Sequence, residues 1–214
     1  MKIKYIGHSC FLFETHAGAR LLTDPFDGIG WRMPRVRADC VCCTHRHFDH
    51  NYVEGVAGCR EVITSAGEHA CGGFRIVGIP SFHDDQGGAK RGNNIIYRIE
   101  ADGAAVCHMG DIGQQPTKQL LSEIGRVDVL MIPVGGTYSV DAAGALEYVR
   151  AIRPQIVIPM HYRTDDCSLD IAPLGAFESL CGADNCAAAD CLDTEEMSKY
   201  SGKTLILRRW PDGR

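Results

Sequence analysis

The segment Thr44-His45-Arg46-His47-Phe48-Asp49-His50 puts three histidines and one aspartate within six positions. It follows directly on Asp39-Cys40-Val41-Cys42-Cys43, a short apolar run that reads as a buried strand. Neutral imidazole nitrogen and carboxylate oxygen are good ligands for zinc, iron and similar ions. Such a set just past a strand end constrains the fold. The chain must turn there so that the side chains converge, and other segments must complete the coordination. His45 and His47, two apart, point to one side of an extended stretch. Asp49 and His50 are expected to open a helix over 49–57 and to face a second point nearby.

Three other segments supply the same residue types in the same setting. His83 follows an apolar run in Pro80-Ser81-Phe82-His83-Asp84, Asp111 follows one in Cys107-His108-Met109-Gly110-Asp111, and His161 follows one in Pro159-Met160-His161-Tyr162. In layered α/β folds, sites gather at the carboxyl ends of strands. Four strand ends carrying ligand types point to one shared site. A histidine-rich surface turn alone would leave His83, Asp111 and His161 unexplained.

Apolar runs rich in Val, Ile, Tyr and Phe predict strands at 2–6, 10–14, 19–23, 39–44, 61–64, 74–80, 94–100, 104–109, 127–133, 155–160 and 204–209. Further helices are expected at 116–125, where Pro116 suits a first turn, and at 172–182. A third is expected at 141–152, with Asp141 as cap and Leu146, Val149 and Ile152 at helical spacing. Residues 181–198 read as an irregular surface excursion. The first half is rich in hairpins and the second alternates strand and helix. That pattern implies mixed sheets covered by helices, in one domain spanning 1–214.

On HRHFDH and the ordered His83, Asp111 and His161, the chain resembles the metallo-β-lactamase superfamily, whose motif is His-x-His-x-Asp-His. Gly7-His8-Ser9-Cys10-Phe11 and Thr23-Asp24-Pro25-Phe26 resemble the branch related to L-ascorbate 6-phosphate lactonase. The resemblance implies an α/β (α+β) fold, a four-layer αββα sandwich of two mixed sheets flanked by helices. It implies that His45, His47 and His83 hold one divalent ion, that Asp49, His50 and His161 hold a second, and that Asp111 bridges the two. Zinc is the expected metal, with manganese or iron as alternatives. A water between two ions roughly 3.5–4 Å apart loses a proton near neutral pH, and the resulting hydroxide attacks a carbonyl or phosphorus centre. Asp49 is the expected catalytic group, orienting the nucleophile or accepting its proton. Arg46 and Ile112 depart from the family pattern without removing a ligand. Relatives in the family often self-associate, so a homo-oligomer is an expectation.

Other residues near these strand ends have two readings each. His8 is either a structural histidine or a contact to a metal ligand or substrate. Asp24 either caps a turn or fixes the ring of a metal-binding histidine. His108, inside a strand, reads as a satisfied core histidine. In the glycine-rich loop after His83, Lys90 or Arg91 is a candidate to close over an anionic substrate, with Tyr138 shaping the pocket. The 11 cysteines, spread from Cys10 to Cys191, read as reduced thiols. A structural metal on Cys167, Cys181, Cys186 and Cys191 is the alternative for that group.

A net charge of −5 and a pI near 6.0 give no basic footprint, so neither nucleic acid nor an anionic membrane is expected as partner. The start, MKIKYIGHSCFLFE, lacks a signal-peptide pattern, and a cytoplasmic location is expected. The leading function is hydrolysis of a small, anionic ester, lactone or phosphodiester. The competing ones are an iron-binding redox protein, a metal-dependent nuclease, and a metal-binding interaction protein without turnover.

Overall fold

The computed structural model describes residues 1–210. The chain opens with β1 (Lys2–Gly7), β2 (Cys10–Glu14), β3 (Arg20–Thr23), β4 (Val36–Arg37), β5 (Cys40–Cys42), β6 (Val56–Ala57) and β7 (Glu61–Ile63). It continues through β8 (Gly67–Cys71), β9 (Phe74–Phe82), β10 (Asn93–Ala101), β11 (Ala104–His108), α1 (Lys118–Ile124), β12 (Val129–Pro133), α2 (Ala142–Ile152) and β13 (Ile156–Met160). The last elements are α3 (Gly175–Cys181), β14 (Cys186–Ala189), β15 (Leu192–Asp193) and β16 (Lys203–Leu207).

Two large mixed sheets form. One has the order β15-β1-β2-β3-β5-β7 and the other β14-β16-β13-β12-β11-β10-β9-β8, while β4 and β6 pair separately. Alternate residues of the first sheet serve two cores. Tyr5, Phe11, Phe13, Leu21, Cys40 and Cys42 face the second sheet, while Ile6, Leu12, Leu22, Val41 and Cys43 join a core on the outside. Burial of both faces explains why these strands read as unbroken apolar runs. The outer core is closed by Phe26, Ile29, Val36 and Val56, from loops and the small β4–β6 ribbon. Helix α2 starts as expected, with the Asp141 carboxylate accepting from the Gly144 amide. For α1 the cap is Thr117, one residue inside the expected start.

Two sequence expectations are corrected. No helix forms over 49–57; a single 3-10 turn, Val53–Gly55, leads into β6. The Tyr52 amide donates to the Pro25 carbonyl at 2.8 Å, and β6 pairs with β4, so tertiary partners take groups that a helix would need. Residues 181–198 are not a plain excursion: β14 extends the second sheet beside β16, and β15 edges the first sheet beside β1. No helix among the described residues is long and apolar enough to cross a membrane.

The thiol expectation also changes at one pair. Cys40 of β5 and Cys71 of β8 form a disulfide with Cα atoms 6.5 Å apart, joining the two sheets. Cys167, Cys181, Cys186 and Cys191 remain free and belong to no candidate metal-binding group among the described residues.

Candidate metal centre

Strand direction brings the chemistry together. β1, β3, β5 and β7 run the same way in the first sheet, as do β9, β11, β12 and β13 in the second. Their carboxyl ends lie along one edge of the sandwich. From them emerge His8, Asp24, the 44–50 turn, His83, Asp111 and His161. Hydrogen bonds across the sheets fix this edge: Ile95 amide to Thr44 carbonyl, His161 amide to His8 carbonyl, and the Tyr97 hydroxyl to the carbonyls of Cys43 and Ile63.

All seven of the sequence-predicted ligands meet here. Donor atoms of His45, His47 and His83 lie within 4.8 Å of one another, as do those of His45, His50 and Asp111. A third such group holds His8, Asp49, His50 and His161. Asp111 Oδ2 is 3.0 Å from His161 Nε2, 3.3 Å from His50 Nε2 and 3.4 Å from His83 Nε2. Two donors about 2.1 Å from a shared ion, at right or tetrahedral angles, lie about 3.0–3.4 Å apart. Yet Nε2 of His45, His50 and His161, and Oδ1 of Asp111, are buried without a hydrogen-bond partner. Buried polar atoms are rarely left so, and an ion explains each of them. The donor set therefore fits divalent metal.

Protonation favours ligation at two of the rings. Burial and the neighbouring His50 lower His45 to about 2, and burial lowers His83, so both rings are neutral ligands at pH 7. Burial pulls His50 down, but Asp111, Asp24 and Asp49 outweigh it and raise it well above the usual value. Burial pushes the Asp111 and Asp49 carboxyls up, but adjacent imidazoles hold both low. Asp24, Asp49 and Asp111 are buried, and among the described residues no lysine or arginine pairs with them. Buried carboxylates of this density call for a cation.

Around the donors lies a second set of contacts. The fully buried Asp24 carboxylate accepts from the Thr44 amide at 2.7 Å, the Thr44 hydroxyl at 2.8 Å and His50 Nδ1 at 2.9 Å. An ionised carboxylate only accepts, so His50 carries a proton on Nδ1 and offers Nε2, beside Asp111, to an ion. Thr44 Oγ1 also meets His45 Nδ1 at 3.0 Å, which leaves His45 Nε2 bare. Asn94 Oδ1 accepts from the Asp111 amide at 3.0 Å, and the Asn94 amide group donates to Ser81 and the Met109 carbonyl. A Cβ at Gly110 would sit 2.3 Å from Asn94 Oδ1, so only glycine lets this bond form. Sequence reasoning did not single out Thr44 as a support or Asn94 at all. Thr44 adjoins the motif, but Asn94 carries no local signal. His108 is a satisfied core histidine, its Nε2 2.8 Å from the Ser9 carbonyl.

Backbone strain concentrates at the same edge. Among the described residues six non-glycines have positive φ, and four of them are His8, Asp24, Thr137 and His161.

The loop after His83 is ordered by Asp84, whose carboxylate accepts the amides of Gln86, Gly88, Lys90 and Arg91. The Arg91 guanidinium is docked, donating to the Thr137 carbonyl at 2.8 Å and lying 5.7 Å over the Tyr138 ring. Lys90 is exposed. Both cations line an open cavity of about 370 Å³ with His83 and Tyr138. A neighbouring cleft of about 610 Å³ exposes His45 and His47 beside Arg46 and Arg91.

Residues 2–161 match the family described as a β-lactamase superfamily domain. A UPF0173 metal-dependent hydrolase of Thermococcus onnurineus is 29% identical over 193 residues, covering 77% of this chain and 85% of its own. One from Methanospirillum hungatei is 30% identical over 190 residues, covering 78% and 84%. A metallo-β-lactamase superfamily structure from Thermotoga maritima superposes with a TM-score of 0.77 at 33% identity, over 96% of this chain and 97% of that one.

Proposed function

This chain belongs to the β-lactamase superfamily and is a metal-dependent hydrolase, and from that premise we propose that it binds two divalent ions and hydrolyses a small anionic ester, lactone or phosphodiester. The observation that carries the reading is the set of buried, unpartnered donor atoms converging from the ends of separate strands.

His45, His47 and His83 would hold one ion and Asp49, His50 and His161 a second, with Asp111 a further ligand. Such ions would supply Lewis acidity to polarise the scissile bond and to activate water. Asp24 and Thr44 engage Nδ1 of His50 and His45, which leaves Nε2 of each ring for an ion. Asp49 stays ionised, so it can accept a proton from the attacking water and hand it to the leaving group. Lys90, exposed on its loop, pairs with the substrate's anionic group, while Arg91 braces the Thr137–Tyr138 wall. A compact substrate suits the open cavity. Zinc suits the histidine-rich set, and manganese or iron use the same ligand types.

The test is elemental analysis of the purified chain alongside a panel of p-nitrophenyl esters, lactones and bis-p-nitrophenyl phosphate. Two ions per chain and turnover abolished by His47→Ala are expected. One ion or none, or turnover that survives His47→Ala, refutes the reading.

A further inference from the structure

The turn between β1 and β2 contributes a residue to the metal centre that the seven-ligand set does not use. Gly7 and His8 both have positive φ, 137° and 56°. Trp31 packs where a Gly7 Cβ would be, closing the outside of the turn. The His8 carbonyl accepts from the His161 amide at 2.9 Å and from the Tyr5 hydroxyl at 3.2 Å, so the backbone is held on two sides. The His8 side chain, 1% exposed, therefore has one direction to take, and its Nε2 lies 3.2 Å from Asp49 Oδ2. Its ring is also 4.3 Å from that of His161 and 5.2 Å from that of His50, centroid to centroid. It thus borders every side chain assigned above to the second ion.

We propose that His8 is a positioning residue: its Nε2–H donates to Asp49 Oδ2 and sets the carboxylate for the second ion. The inference rests on the two-ion reading above. Among the described residues nothing else supports the Asp49 carboxylate. It sits in an irregular turn between exposed Phe48 and buried His50, and outside His8 and His50 no polar side chain among the described residues is hydrogen-bonded or ion-paired to it. His50 has Asp24 behind it, and Asp111 has its amide pinned by Asn94. A carboxylate hydrogen-bonded from behind presents a fixed oxygen, and losing such a partner typically weakens metal affinity about 10–100-fold.

The experiment compares full-length wild type, His8→Ala and His8→Gln. Metal is removed, and Co2+ is titrated back in competition with a chromophoric chelator while its visible absorption is recorded. The expected result is two ions in wild type. In His8→Ala the second ion should bind about 10–100-fold more weakly with an altered ligand-field spectrum, and the first should be unchanged. In His8→Gln, whose amide N–H reaches a similar position, most of the affinity should return. Wild-type binding of both ions by His8→Ala overturns the inference. So does a His8→Gln that binds no better than His8→Ala while both variants melt like wild type. A wild type that takes up no second ion sinks the two-ion reading and this inference together, whereas an intact two-ion wild type with an indifferent His8→Ala sinks the inference alone.

Discussion

Replacing Asp24 by Asn keeps the volume and removes one charge, and the structure says which bond fails. Asn Oδ1 can still accept from the Thr44 amide, as Asp24 Oδ1 does at 2.7 Å. The NH2 group then replaces Oδ2, which accepts from Thr44 Oγ1 at 2.8 Å and His50 Nδ1 at 2.9 Å. The Thr44 hydroxyl can rotate and accept instead. His50 cannot, because its Nδ1–H would face another donor. The ring must keep its proton on Nε2, the atom that faces Asp111 at 3.3 Å and that an ion would take. An arriving ion must then displace that proton or force a donor against a donor. Loss of such a partner costs about 10–100-fold in affinity, which is about 1.4–2.7 kcal/mol. In the metal-free chain the shifted ring is paired on both sides, by the introduced amide at Nδ1 and by Asp111 Oδ2 at Nε2, so the melting temperature should change little. Calorimetric titration of the metal-free variant with Zn2+ or Co2+ measures the first effect, and a thermal melt the second. An Asp24→Asn chain that binds the second ion with wild-type affinity would refute the assigned tautomer and, with it, the role given to Asp24.

His47 is exposed, so His47→Ala should abolish the first ion and turnover while shifting stability by no more than about 0.5 kcal/mol, read by metal analysis and a urea melt. Lys90→Ala should raise KM for an anionic substrate about tenfold with kcat nearly constant, and leave a neutral ester unaffected; equal effects on both would remove Lys90 from anion recognition. Burial pushes the Asp84 carboxyl up, but backbone N–H donors, Arg91 first, outweigh it and bring it down to about 2. Its folded value lies below the ordinary one, so the order it gives to 84–91 is complete above pH ~4 and is lost as pH falls through about 2. Amide exchange of Gly88 and Arg91 should accelerate in that window and not at pH 6. Cys71→Ser opens a link spanning 31 residues, worth about 3.5–4 kcal/mol of loop-closure entropy. Under oxidising conditions it should lower stability by up to that amount, and nine free thiols should titrate in denatured wild type.

The ligands were legible because coordination chemistry restricts residue type severely, and because each follows an apolar run whose end is easy to see. Their supports were less so. Asp24 drew notice through its place beside Pro25 and through the family resemblance, and Asn94 looked like the polar first residue of the strand expected at 94–100. What makes Asn94 functional is that β10 lies beside both β9 and β11, and that Gly110 leaves room for its carbonyl oxygen. Neither condition has a local sequence signature. The Cys40–Cys71 link is hidden for the same reason, since 11 cysteines do not specify their pairing.

The failed helix over 49–57 shows the limit from the other side. Its residues do not forbid a helix, but the amide of Tyr52 is claimed by Pro25 and that of Asp27 by the Phe48 carbonyl, both across the turn that follows Asp24. The same crossing brings the Asp24 carboxylate under His50. A regular helix from Asp49 onward would give up the Tyr52 bond and, with it, the loop that holds Asp24 in its left-handed conformation. Local propensity therefore yields where it conflicts with the geometry of the metal centre, and the residues that look least regular in the sequence are the ones that fix the ligands in place.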